Sequence, residues 1–279
     1  MFQVEFRMAL YLVPELTPEE VELAFKTSGV TGVKSYPRGV TTNSAAGVES
    51  YDPYYPIFAK MEELGMTLHL HGEVPDVSVM LAEEMFLSKL EELHAAFPTL
   101  KIVLEHCSTE AAVECVKRLG PSVGATITAH HLDITIDDVV GCGHLFCKPV
   151  AKLPSDRTAL QEVVRSGNPK FFLGSDSAPH PAHKKEAYTA AAGVYTSSHL
   201  CVYLADTFDR LGMMHRLENF ACKFGAEYFG IPVRMDEKPI TLVKKEIIVP
   251  ELKKQFKKQN FGYTARCEKF WWEFWTFVD

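Results

Sequence analysis

Short apolar runs alternate with amphipathic stretches along most of the chain, and each run closes on a turn residue. Residues 5–13 (Glu-Phe-Arg-Met-Ala-Leu-Tyr-Leu-Val) read as a strand that Pro14 ends. Thr17-Pro18-Glu19-Glu20 carries the cap, the first-turn proline and the acidic residues of a helix start, and that helix runs to about Ser28 before Gly29 stops it. Val30 to Tyr36 is a short strand with Lys34 at its end, and a polar, hydroxyl-rich loop (37–44) follows. A helix over about 53–64 leads through Gly65 to Met66-Thr67-Leu68-His69-Leu70-His71, a strand ending in a His-Gly-Glu turn. A long amphipathic helix over 77–96 precedes the buried strand of 100–106, and a helix at 109–119 precedes a strand at 123–131. A helix at 155–166, with Ser155 as its cap, leads to Phe171-Phe172-Leu173, where Gly174 lets the backbone turn. Regular alternation of strand and helix predicts a parallel sheet in an α/β fold, and no repeat or interdomain linker interrupts it.

Composition narrows the class. The chain of 279 residues, 47% hydrophobic, can bury one large core or two modest ones; composition alone does not choose, but α/β barrels of about 250 residues are routinely one domain. A net charge of −7 points to neither nucleic acid nor an anionic membrane as partner. Glu5 and Arg7 interrupt the apolar start, which argues against a secretory signal, and no apolar run reaches the length of a bilayer span. Seven cysteines, an odd number without paired spacing, read as reduced thiols and predict a cytoplasmic protein.

The chemistry gathers at strand ends. Lys34, His71, His106 and Asp176 each stand at the end of a predicted strand, His130 and His131 on another, and a proline-braced turn holds His180 near Asp176. One imidazole at such a position is usually a hydrogen-bonded neighbour of the core; four groups at one structural address fit a metal-assisted hydrolase, whose active groups sit at the C-terminal ends of barrel strands. Imidazole and carboxylate suit zinc, whereas an ammonium cannot ligate a cation. Lys34 joins such a site only as a carbamate bridging two metals; a lysine reaching solvent is the alternative that the residues leave open.

Gly32-Val33-Lys34-Ser35-Tyr36-Pro37, Thr41-Thr42-Asn43-Ser44, Leu70-His71-Gly72-Glu73-Val74, Leu104-Glu105-His106, Thr128-Ala129-His130-His131-Leu132 and Gly174-Ser175-Asp176-Ser177-Ala178-Pro179-His180 occur in order. Together they resemble the monofunctional bacterial and fungal dihydroorotases of the amidohydrolase superfamily, over roughly residues 5–245. The resemblance implies a (β/α)8 TIM-type barrel, a pair of Zn2+ ions, and the interconversion of N-carbamoyl-L-aspartate and L-dihydroorotate in pyrimidine biosynthesis. It assigns Lys34 as the N6-carboxylysine bridge, His71 and His106 as ligands of one metal, and Asp176 as a metal ligand and general acid/base. Thr41 and Thr42 match a loop that closes over substrate; His180, Ala192 and Lys148 match substrate contacts. A homodimer is implied as well. The runner-up readings are a hydantoinase- or allantoinase-like cyclic-amide hydrolase and a catalytically inactive relative with a structural or regulatory role; the Thr-Thr-Asn loop with Asp-Ser-Ala-Pro-His favours dihydroorotase.

Two departures from the family pattern stand out. The family begins with a strand bearing His-x-His, then an arginine, and a second strand bearing an asparagine; none has a counterpart here, so the expected barrel is truncated at its N-terminus by two βα units. That predicts little more than one zinc per chain, severely reduced activity, and two raw sheet edges prone to self-association. His69 and His71 also spell His-x-His, but His69 reads as a barrel-interior residue one layer deeper than His71. The expected organisation is a partial barrel domain over 1–250 and an atypical tail over 251–279, which holds all three tryptophans and reads as non-native rather than as a docking segment. Cys107, Cys142 and Cys147 read as packing thiols, since none has zinc-finger spacing.

Overall fold

The computed structural model describes residues 6–40, 44–197, 199–232 and 242–244, together with the backbone of 253–254 and 262–263. The chain divides into two compact units, one of residues 1–107 and 111–126, the other of residues 108–110 and 127–279.

In the first unit the strands are β1 (Ala9–Tyr11), β2 (Gly32–Ser35), β3 (Thr67–His71), β4 (Lys101–Glu105) and β5 (Val123–Ile127), which reaches one residue into the second unit. Each pairs in parallel with the next, with Tyr11 opposite Lys34, Lys34 opposite His69, and His71 opposite Glu105. The helices α1 (Pro18–Ser28), α2 (Tyr55–Leu64), α3 (Ala82–Ala96) and α4 (Glu110–Arg118) make the crossovers. Parallel strands covered on both faces need continuous apolar runs. Accordingly Val33, Leu68, Leu70, Ile102, Val103, Leu104 and Val123 are fully buried, with Phe58, Met61, Leu90 and Leu93 from the helices. The start of α1 is as the sequence predicts: Glu20 N–H donates to Thr17 Oγ1, the Thr17 N–H donates back to the Glu20 carboxylate, and Gly29 closes the helix at φ 63°.

The second unit contains α5 (Ile136–Val139), α6 (Pro154–Ser166), β6 (Phe171–Leu173), α7 (Ala182–Lys185), α8 (Leu200–Arg210) and α9 (Phe224–Phe229). Just past β6, Gly174 N–H donates to the Ile127 carbonyl. This unit's core is aromatic: Phe172 packs on Tyr228 and Phe229, and Phe208 on Phe220.

Three local expectations are corrected. The strand expected over 123–131 ends at Ile127, because Thr128 takes the His131 N–H on its hydroxyl and turns the chain, so His130 and His131 sit in the turn. The helix expected from residue 77 starts at Ala82, after a bend over 76–81 in which Asp76 has a positive φ. Asp156, not Ser155, caps α6, accepting the Leu153 N–H at 3.1 Å. Of the tail, Lys253–Lys254 (β7) and Gly262–Tyr263 (β8) pair antiparallel, and the rest of the 251–279 expectation lies outside the described residues. Among the described residues no helix is long and apolar enough to cross a membrane.

Candidate active site

In the first unit, the ends of β2, β3 and β4 bring together two linked polar groups. Glu105, the last residue of β4, receives the Lys34 ammonium on one carboxylate oxygen and the His69 ring, at 2.9 Å, on the other. Burial pushes the Glu105 carboxyl up, but Lys34 and His69 outweigh it and hold the group at about 2. The Lys34 Nζ also lies 4.8 Å from the Tyr36 ring centre. His69 is thus a partner of Glu105 inside the sheet layer. Gly32 is required beneath it, since a Cβ there would stand 2.8 Å from His69 Nε2 and 2.8 Å from the Thr67 carbonyl.

The second group is a histidine pair. His71 Nδ1 and His106 Nε2 lie 3.1 Å apart, and His71 Nε2 lies 2.8 Å from Glu73 Oε2; all three side chains are buried. Two ring nitrogens at this distance repel through their lone pairs unless a proton or a cation lies between them. Burial lowers the His71 pKa, with Glu73 opposing, which favours the neutral imidazole that a cation needs. A carboxylate on the far ring nitrogen is the usual way a metal-binding histidine is oriented. The donor set therefore fits one divalent ion held by Nδ1 of His71 and Nε2 of His106. Residue types alone gave no reason to single out Glu73 and Glu105, although each is adjacent or nearly so to a predicted ligand.

The second unit holds the remaining expected residues. Asp176 is exposed just past β6, with φ 37°, and its charge adds to the burial that pushes the Cys147 thiol up to about 12. His180 and Ala192 are brought together: His180 Nε2 donates to the Ala192 carbonyl at 2.9 Å. Lys148 is half-buried and precedes Pro149 through a cis peptide bond. Thr41 and Thr42 lie outside the described residues. The sequence reading missed Lys185, which is buried and donates from one ammonium to the carbonyls of Phe146 (2.8 Å), Ala191 (2.8 Å) and Gly193 (2.7 Å). Gly193 N–H in turn donates to Phe146, so Lys185 ties the segment before Lys148 to the one carrying Ala192.

Comparison with known proteins places this arrangement. The amidohydrolase family profile matches residues 5–116. A probable dihydroorotase of Schizosaccharomyces pombe is 53% identical over 249 residues, covering 88% of this chain and 74% of the relative. This chain belongs to the dihydroorotase family. Its members are hydrolases acting on a cyclic amide. The Saccharomyces cerevisiae dihydroorotase is 44% identical over 269 residues, and this chain spans 74% of that relative's length. The crystal structure of the Saccharomyces cerevisiae dihydroorotase in complex with 5-fluoroorotic acid superposes with a TM-score of 0.87 at 40% identity, covering 96% of this chain and 79% of that one. An L-hydantoinase from Arthrobacter aurescens, at 20% identity and a TM-score of 0.70, shares the fold. The alternation of parallel strands and helices is thus that of the amidohydrolase TIM-type barrels.

Proposed function

We propose that this chain is a zinc-dependent dihydroorotase that interconverts N-carbamoyl-L-aspartate and L-dihydroorotate in pyrimidine biosynthesis. The observation that carries the proposal is the His71–His106 pair, whose ring nitrogens converge at 3.1 Å with the Glu73 carboxylate behind them. In this reading His71 and His106 hold one Zn2+, Lys34, carboxylated on Nζ, is the bridging ligand, and Asp176 is a metal ligand and the general acid/base. When bound, the zinc pair supplies Lewis-acid polarisation of the amide carbonyl and lowers the pKa of the attacking water. The protein's own part in hydrolysis is proton transfer at the Asp176 carboxylate, which receives the proton of the attacking water and returns it to the departing ring nitrogen. His180 contributes to holding the substrate carboxylate, Ala192 offers its backbone, Lys148 lies against the pyrimidine ring, and Thr41 and Thr42 close over the substrate. The yeast relative's complex with 5-fluoroorotic acid supports a pyrimidine carboxylate as the ligand class. A homodimer belongs to the same reading. So does the cytoplasm, in keeping with seven cysteines that lack paired spacing.

The test is turnover of dihydroorotate and carbamoyl aspartate by the purified chain, measured against hydantoin and allantoin, with zinc determined on the same sample. Preference for dihydroorotate and loss of zinc in Lys34→Ala are expected. Preference for hydantoin or allantoin would overturn the substrate assignment, and undiminished zinc in Lys34→Ala would overturn the bridging role.

A further inference from the structure

The second unit contains a cluster of metal-ligating side chains that the proposed reaction leaves unused. His130, His131 and Cys147 are 6%, 2% and 1% exposed, and one ligand atom from each lies within 4.8 Å of the others. Both ring nitrogens of His130 are buried without a hydrogen-bond partner among the described residues. An imidazole in that state forfeits the solvation of two polar atoms with nothing in return. Burial, with His131 and Lys185 nearby, also holds its pKa well below the ordinary value, so the ring is neutral and its lone pair is available.

The other two members already converge on a single acceptor. His131 Nε2 lies 3.0 Å from the Pro149 carbonyl oxygen, Cys147 Sγ lies 3.2 Å from the same oxygen, and Sγ and Nε2 are 3.9 Å apart. Zinc–nitrogen and zinc–oxygen bonds of about 2.0–2.2 Å and a zinc–sulfur bond of about 2.3 Å put neighbouring tetrahedral donors about 3.3–3.8 Å apart. These three edges bracket that range, and the His130 nitrogen stands within 4.8 Å of the other two side-chain donors. From this geometry we infer a second metal site, distinct from the His71–His106 centre, in which Cys147 Sγ, His131 Nε2, one ring nitrogen of His130 and the Pro149 carbonyl hold a Zn2+-like ion.

Proton balance is straightforward. Without metal, His131 carries its proton on Nε2, facing the Pro149 carbonyl, and accepts from Thr128 Oγ1 at Nδ1, 2.8 Å away. On binding, that proton moves to Nδ1 and is donated to Thr128 Oγ1, which fixes the ring as hydrogen-bonded outer partners of ligands do. The Cys147 thiol proton is released to solvent, and the thiolate ligates the ion. Such an ion would fasten the turn after β5 to the Cys147–Pro149 segment, and with it Lys148. The inference stands independently of the dihydroorotase reading, whose ligands include no cysteine.

Cobalt(II) alone is the probe. The full chain is stripped of metal, loaded with Co2+, and scanned for thiolate-to-cobalt charge transfer in the near ultraviolet; zinc stoichiometry is measured in parallel. The native chain should show the band and hold one more zinc than Cys147→Ser. The band should vanish in Cys147→Ser, and His130→Gln should bind the ion at least tenfold more weakly. Thermal melts identify a variant that fails to fold, in which case the other carries the test. Absence of the band at saturating Co2+, or its survival in Cys147→Ser, would overturn the site. Dihydroorotate turnover is scored separately, so a chain with the band and no turnover would separate the two claims.

Discussion

Replacing Lys185 with methionine keeps the length and removes the charge. The native ammonium has three hydrogens and three carbonyl partners, at 2.8, 2.8 and 2.7 Å. Hydrogen bonds to a charged group contribute about 1.5–3 kcal/mol each. Burial opposes them: it pulls the lysine down to about 8, so at neutral pH the group remains an ammonium. At 1.36 kcal/mol per pKa unit that desolvation costs about 3 kcal/mol. The bonds therefore win, and Lys185→Met should destabilise the second unit by about 2–6 kcal/mol. The Phe146 carbonyl keeps the Gly193 N–H, but those of Ala191 and Gly193 lose their donor. Lys185→Arg retains the charge, yet a planar guanidinium cannot aim three hydrogens from one nitrogen, so an intermediate loss is expected. The assay is amide hydrogen exchange of the full chain at pH 7, read at Gly193, whose N–H closes the link to Phe146, alongside urea unfolding. A methionine variant within 1 kcal/mol of the native chain, with unchanged exchange at Gly193, would show that the three bonds do not outweigh the burial of the charge.

Two more perturbations probe the first unit. Glu105 is held at about 2 against an ordinary value of 4.5, so its stabilisation of the metal-free chain is complete above pH 4.5 and lost as pH falls from there through 2; urea unfolding should show Glu105→Gln less stable by about 3 kcal/mol at pH 7 and by much less at pH 2.5, and an equal gap at both would count against the assignment. Gly32→Ala should cost about 1–3 kcal/mol by driving a methyl into His69 and the Thr67 carbonyl, and an unchanged melting temperature would show that the layer yields more easily than its contacts indicate.

The strands and helices of the first unit were legible because their signals are local. Apolar runs five residues long with a glycine or capping residue at each boundary need no tertiary knowledge, as α1 shows from Thr17 to Gly29. The strand-end address of Lys34, His71 and His106 was legible for the same reason. What such a reading misses is pairing between distant residues. Nothing along the chain says that Glu105 would join Lys34 and His69, 71 and 36 positions away, or that Lys185 would reach Phe146 39 positions back. The end of β5 was misplaced because Thr-Ala-His-His continues an apolar, β-branched run, while its hydroxyl turns the backbone through a hydrogen bond that composition does not announce. Nor does spacing along the chain announce that ligand atoms of His130, His131 and Cys147 come within 4.8 Å of one another.

The backbone itself distinguishes the proposed catalytic positions. Among the described residues three that are not glycine have positive φ: Asp76, His106 (47°) and Asp176 (37°). The last two are residues proposed to hold metal. A side chain in the left-handed region costs about 1–3 kcal/mol, and the surrounding structure must over-determine it. For His106 the cause is visible. Consecutive residues of a strand point to opposite faces, yet Glu105 must meet Lys34 while His106 must meet His71. The left-handed turn at His106 breaks the alternation one residue past β4, and its amide is taken by Thr126 Oγ1 at 2.8 Å, which anchors the distorted residue to the neighbouring strand. Strain here re-aims a ligand rather than closing a loop, which a relaxed strand end could not do. Asp176 has the same backbone signature just after β6. Two independent strand ends distorted at the residue assigned to chemistry favour function over packing as the reason those residues are there.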